Sequence, residues 1–411
     1  MSPRTSRDTA RSGTRQDLRY PVASITGIIE QMCRQAPRNH PSNRPATCKP
    51  GSNAVLNVIP VFPELSRPIV QTGAHGLQGD SPPFANRLLR RSMTDTAPFP
   101  CARFIKEIGR GPNGARALTR EDTYALYEAM LDNRVSDLEL GAVLLAYRVK
   151  GETAAELAAM LAAAHRSFEP LHIQNGRDHA RPVSIPTYNG ARKQPNLTPL
   201  LALLLARNGV PVLVHGVTTD PGRVTSAAIF AELGIPEATS HDEIEDSLAS
   251  RRLAFAPIAV LAPKLARLLA IRRIMGVRNS THTLVKILQP FAQPGLRLVN
   301  YTHPEYRESL TGLFTEHPDA AAGGALLARG TEGEAVADTR RQVQVDWFHD
   351  GHAETLISPQ RSSPDAPVAV LPEALDAATT ARWIETVLRG EAPVPPALAR
   401  QAELIADIVR R

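Results

Sequence analysis

The chain has 411 residues, 43% of them hydrophobic, which is enough to bury a large core and reads as a globular protein of two or three structural domains. Its formal charge of +6 suggests a polyanionic partner, yet residues 1–92 hold 13 Lys and Arg against 5 Asp and Glu, and the other 319 residues hold 34 against 36. Bulk basicity therefore belongs to the leader, and any polyanion site in the folded part has to rest on local clustering.

Residues 1–92 are rich in Arg, Ser, Pro and Gly and are expected to be disordered. A transit peptide, a nucleic-acid-binding arm and a start codon placed upstream of the translated one all stay open for this stretch, because ordered-looking sequence begins just after Met93. Cys33, Cys48 and Cys101 form no CxxC or Cys/His spacing, so neither a disulfide framework nor a zinc site is expected. No stretch approaches the roughly 20 consecutive apolar residues of a membrane span, and a cytoplasmic protein without membrane contact is expected.

From Thr119 the pattern is helical. Thr119 and Asp122 precede apolar positions at Tyr124, Leu126, Tyr127 and Met130, and Asp137 to Arg148 and Thr153 to His165 continue the period, which predicts a helical unit over 93–172. Pro182 to Pro186 and Val210 to His215 read as buried strands separated by a helix from Leu197 to Asn208. That order predicts an α/β unit over 173–411 with parallel strands. A helix from Ala262 to Met275 is predicted to stop at Gly276, and another to run from Ser280 to Gln289. Leu296 to Asn300, Gly324 to Ala328 and Gln342 to Val345 read as further strands.

Four segments carry a resemblance. They are Ile105-Lys106-Glu107-Ile108-Gly109-Arg110-Gly111, Tyr188-Asn189-Gly190-Ala191-Arg192-Lys193-Gln194, Met275-Gly276-Val277-Arg278-Asn279-Ser280 and His303-Pro304-Glu305-Tyr306. In this order and spacing the chain from Phe104 to about Gly390 resembles the anthranilate phosphoribosyltransferases of glycosyltransferase family 3 and, within them, the DNA-binding branch typified by YbiB. The resemblance implies a small helical domain joined to a larger α/β domain with a central mixed sheet. It also implies dimerisation through the helical domain, to which the segment 262–290 would return.

The same resemblance shows what is missing. Where the enzymes cradle pyrophosphate with Gly-Thr-Gly-Gly-Asp, this chain has Gly190-Ala191-Arg192-Lys193-Gln194, so cations replace glycines whose amides approach phosphate. Where an Asp-Glu pair holds magnesium, Gly330-Thr331-Glu332-Gly333-Glu334 is followed by Ala335 and Val336. Glu332 and Glu334 stay open as substitutes. In Val214-His215-Gly216 a valine stands for the family's lysine, while Arg272 falls where an anthranilate-contacting arginine belongs.

Between Ser247 and Pro304 the chain has nine Lys and Arg and no Asp or Glu. The preceding stretch from Glu232 to Asp246 is the reverse, with six acids and no Lys or Arg. Arg192, Lys193, Arg223, Lys264, Arg267, Arg272, Arg273, Arg278 and Lys286 are predicted to line one electropositive, nucleic-acid-binding surface. His215 and His282 are predicted to be hydrogen-bonded core or cleft residues. Few aromatics accompany the cations, so binding through the phosphate backbone with little sequence preference is expected, single strands being favoured in the branch it resembles. No catalytic residue, metal or cofactor is expected. A working glycosyltransferase with an altered acceptor is the alternative.

Overall fold

The computed structural model describes residues 97–111, 113–173, 180–360 and 369–411; the expectation for residues 1–92 lies outside them. The described residues open on helices α1 (Ala102–Ile108), α2 (Arg120–Leu131), α3 (Asp137–Lys150) and α4 (Ala154–Arg166). Each of the last three starts where a hydroxyl can accept a free backbone amide: Thr119 from Asp122, Ser136 from Glu139 and Thr153 from Glu156. Thr153 and Glu156 complete a reciprocal capping box. Glu156 is fully buried, and its carboxylate also accepts from Leu118 N at 3.0 Å and Lys150 Nζ at 2.7 Å, so one acid fixes three segments.

The α/β part is built on seven strands, β1 (Val183–Thr187), β2 (Val212–Gly216), β3 (Leu253–Pro257), β4 (Leu296–Tyr301), β5 (Ala325–Arg329), β6 (Val345–His349) and β7 (His352–Ile357). They lie in the order β3-β2-β1-β4-β5-β6-β7. β1 to β5 are parallel, whereas β6 and β7 run antiparallel, which makes the sheet mixed as the resemblance implied. β1, β2 and β3 are buried along their whole length, as strands covered on both faces must be. β7 is mostly exposed and carries His352 and Glu354, polar residues suited to a free sheet edge.

Helices α5 (Thr198–Arg207), α6 (Ser226–Glu232) and α7 (His241–Arg251) connect the first three strands. The chain then leaves β3 and returns to the helical unit through α8 (Ile258–Leu261), α9 (Pro263–Ala270), α10 (Arg272–Met275) and α11 (Thr281–Leu284). Leu265, Leu268, Leu284 and Leu288 share one buried core with Leu126, Tyr127, Leu144 and Leu161. Tyr127 OH and Thr281 Oγ1, 2.9 Å apart inside that core, join the returning segment to α2. Helices α12 (Pro304–Glu316), α13 (Ala377–Leu388) and α14 (Pro396–Arg410) complete the described elements.

Several expectations shift in detail. The helix expected over Ala262 to Met275 is broken between α9 and α10, although it ends at Gly276 in the left-handed conformation (φ 72°) as a C-cap glycine should. The helix expected over Ser280 to Gln289 covers only Thr281–Leu284, and β6 begins at Val345, where the strand expected over Gln342 to Val345 was to end.

Candidate functional site

Strand order reverses between β1 and β4, and the carboxyl ends of the parallel strands at such a reversal are the usual ligand position, a crevice, of an open α/β sheet. The loop after β1 brings Asn189 to Lys193, the loop after β2 brings Asp220 and Arg223, and the loop after β5 brings Glu332 and Glu334. The returning segment supplies Arg272 to Lys286.

Two glutamates fill the amide side of this crevice. Glu334, fully buried, accepts on Oε1 from the backbone N–H of Asn189 at 2.8 Å and of Gly190 at 2.6 Å. Glu332 accepts from Arg192 N at 3.2 Å on Oε2 and from Lys193 N at 2.7 Å on Oε1. Asn189 Nδ2 donates to Gly333 O at 2.8 Å, which locks the two loops together. Gly190 is required at its position: its φ is 63°, and a Cβ there would lie 2.9 Å from Val224 O. The stretch that the sequence marks as an altered phosphate cradle therefore presents amides already paired with internal carboxylates.

Cations gather around the same loop. Arg278 Nη2 donates to Asn189 Oδ1 at 2.8 Å, and Arg223 Nη1 donates to Gly190 O at 3.1 Å while lying 4.0 Å from Glu332 Oε2. Arg272 pairs loosely with Asp220 at 3.8 Å and stays half exposed. Burial first, and then repulsion from Arg272 and Arg223, hold the Arg278 guanidinium below its ordinary value. Lys286 is half-buried, donates to Asn300 Oδ1 at 3.1 Å and Gly333 O at 3.2 Å, and is brought down to about 8 by desolvation against the partial compensation of Glu334. Burial, followed by Arg278, Arg272 and Lys286, depresses His282 to about 4, which keeps it neutral. Arg223 and Arg278 reach neighbouring residues of the loop after β1, Lys286 reaches Gly333 in the loop bonded to it, and Arg272 pairs with Asp220 in the loop that carries Arg223. Arg192 and Lys193 are exposed beside Glu332.

Lys264 and Arg267 depart from the predicted surface. Lys264 Nζ forms an ion pair with Asp132 at 2.6 Å, and Arg267 Nη2 donates to the carbonyls of Met130 and Leu131, so both are spent on the carboxyl end of α2. Two other members of the acid-free window are also structural. Arg252 donates to Gly209 O at 2.6 Å, and Arg297, fully buried, donates to Ile287 O and Ala322 O at 3.0 Å each. Arg273 is exposed.

The residues at the expected magnesium pair do not fit a divalent ion. Ala335 and Val336 are buried in the apolar core beneath the sheet, and Glu332 and Glu334, the open substitutes, are engaged by backbone amides. Among the described residues no group of three His, Cys, Asp or Glu could hold a metal. His215, also expected to be a hydrogen-bonded core residue, is fully buried with Nδ1 2.8 Å from Tyr188 OH, and burial lowers it to about 3. Sequence reasoning missed the bonds of Asn189, Asn300 and the two glutamates. The positions of Glu332 and Glu334 within a glycine-rich turn were visible, but a turn does not disclose which amides its side chains reach.

Known proteins share both the helical unit and the fold around this crevice. Residues 102–168 match the helical bundle domain of the glycosyl transferase family. YbiB of Escherichia coli K12 is 43% identical over 300 residues, which span 73% of this chain and 91% of that protein. An anthranilate phosphoribosyltransferase of Rhodopirellula baltica is 26% identical over 230 residues, 54% of this chain and 64% of that enzyme. The crystal structure of the anthranilate phosphoribosyltransferase of Thermus thermophilus superposes with a TM-score of 0.55 and 23% identity over 74% of this chain and 86% of that one, a likeness of fold.

Proposed function

Because the chain belongs with YbiB in the glycosyltransferase family that includes the anthranilate phosphoribosyltransferases, we propose that it is a non-catalytic, sequence-tolerant binder of nucleic acid that grips phosphates with its crevice cations. The observation that carries the reading is that Arg223 and Arg278 bond the loop after β1, with Arg272 on Asp220 beside them, while that loop's amides are taken by Glu332 and Glu334. Side-chain cations tolerate phosphates at variable spacing along a polymer, whereas an amide cradle holds one ion in one pose. Among the described residues no group of three His, Cys, Asp or Glu could hold a zinc finger's metal, which fits binding through the phosphate backbone, and single strands are the favoured ligand by the chain's resemblance to the YbiB branch.

The protein acts as a homodimer in the cytoplasm in this reading. Leu138, Leu145 and Val149 are 85%, 48% and 61% exposed on α3, and their spacing of seven and four places them on one apolar helix face suited to a second copy. No helix among the described residues is long and apolar enough to cross a membrane.

A salt series of oligonucleotide binding tests the proposal, with log affinity expected to fall linearly against log salt. A flat line would remove it. The enzymatic alternative rests on the fold and on Arg272, which is half exposed at the crevice; heat released on adding phosphoribosyl diphosphate with magnesium, followed by turnover of an amine acceptor, would establish it instead.

A further inference from the structure

The turn from Thr331 to Glu334 is closed by paired backbone bonds, Thr331 N to Glu334 O at 3.1 Å and Glu334 N to Thr331 O at 3.0 Å. Its two central residues, Glu332 and Gly333, both have positive φ, 52° and 91°. Glycine and asparagine occupy such positions with least strain; glutamate does not. The backbone conformation therefore gives no reason for a glutamate at 332. Its carboxylate does: the two oxygens take two successive amides, Arg192 N and Lys193 N, with Arg223 4.0 Å away. Two adjacent N–H donors and a guanidinium converging on one pair of oxygens form the donor set that would receive a phosphate.

We infer that Glu332 is a built-in stand-in for phosphate, occupying an anion site formed by the Arg192 and Lys193 amides, and that it determines specificity by excluding small free phosphates. The inference rests on the reading of the crevice as phosphate-binding. A free diphosphate gains most from the amides and has to expel an anchored carboxylate to reach them. A nucleic acid needs only the side chains around the occupied site, and many weak contacts along its length make up for the closed one. With Glu332 in place the crevice thus favours polymer over monomer.

The test uses the full chain as wild type, Glu332→Gly and Glu332→Gln. Calorimetric titration with inorganic pyrophosphate is paired with fluorescence binding of a single-stranded oligonucleotide. Glycine suits the positive φ, so E332G relieves the turn while emptying the site, and its pyrophosphate affinity is expected to rise about tenfold over wild type, the scale of one charge-assisted hydrogen-bonded contact. E332Q keeps an acceptor over the amides but loses the charge, so a smaller gain is expected. Pyrophosphate should compete with oligonucleotide in E332G far better than in wild type. A folded E332G that binds pyrophosphate no tighter than wild type overturns the inference. Should E332G fail to fold, absence of any gain in E332Q overturns it equally. If no variant binds oligonucleotide but E332G gains pyrophosphate, the nucleic-acid reading fails and the role of Glu332 stands.

Discussion

Arg278 donates to Asn189 Oδ1 at 2.8 Å, so the segment returning from the helical unit is fastened to the loop that follows the first strand of the sheet. The bond uses one guanidinium nitrogen. Burial, and then repulsion from Arg272 and Arg223, hold the Arg278 guanidinium below its ordinary value, and a bound phosphate would relieve that repulsion.

Arg278→Ala is therefore expected to weaken oligonucleotide binding about tenfold and to lower the salt slope by about one. Arg267→Ala makes the contrast, because its contacts are helix-end carbonyls. It should leave affinity nearly unchanged and cost about 1.5–3 kcal/mol of stability in urea unfolding. Equal loss of binding in both variants would contradict the division of the cations.

Glu334→Ala removes the acceptor of the Asn189 and Gly190 amides and the carboxylate that partly offsets the half-buried Lys286. Leaving those two amides without an acceptor is expected to cost about 1–3 kcal/mol each, measured by denaturant unfolding. Glu334→Gln keeps an acceptor and should cost less. An alanine variant as stable as wild type would show that the two loops are held by other means.

His165 and His282 are depressed to about 4 and His215 to about 3, each chiefly by burial. In the unfolded chain they take up protons near 6.5, so below that pH the unfolded state binds more protons than the folded one. Their contribution to stability is full above about pH 6.5 and is lost as pH falls toward 4, by about 1.4 kcal/mol per histidine per pH unit. Tm should drop between about pH 6.5 and 5, and His282→Gln should flatten that drop. A Tm constant down to about pH 5 would refute the assignment of these histidines as buried and neutral.

Leu145→Glu combined with Val149→Glu places two charges on the exposed apolar face of α3. Light scattering is expected to show a dimer for wild type and a monomer for the double variant, with Tm rising with protein concentration in wild type only. A monomeric wild type would end the proposal of self-association through this face.

Much of the fold is legible in the sequence because its signals are local. Thr119 and Thr153 announce their helices by hydroxyls placed three residues before an acid, and the apolar runs at 182–186 and 210–215 contain most of β1 and β2. β3 gives no such signal, because it follows α7 directly, through Arg252 in the left-handed conformation, with no glycine or proline marking the change. The site was legible by composition but not by pairing. An acid-free window exposes cations; it does not reveal that Lys264 finds Asp132, 132 residues away, or that Arg297 is consumed by two carbonyls. Nor does any local rule connect Glu332 with the amides of Arg192 and Lys193, 140 and 139 residues earlier. Those relations exist only once the sheet has set the loops side by side.

The pinning of Asn189, Gly190, Arg192 and Lys193 to a single turn makes one jaw of the crevice stiff. The other jaw, the limb from Arg272 to Arg278, lies near the surface and carries Ile274 with 87% of its area exposed. In the proposed reading, a polymer would therefore meet one set of groups held by backbone bonds and another carried on exposed side chains.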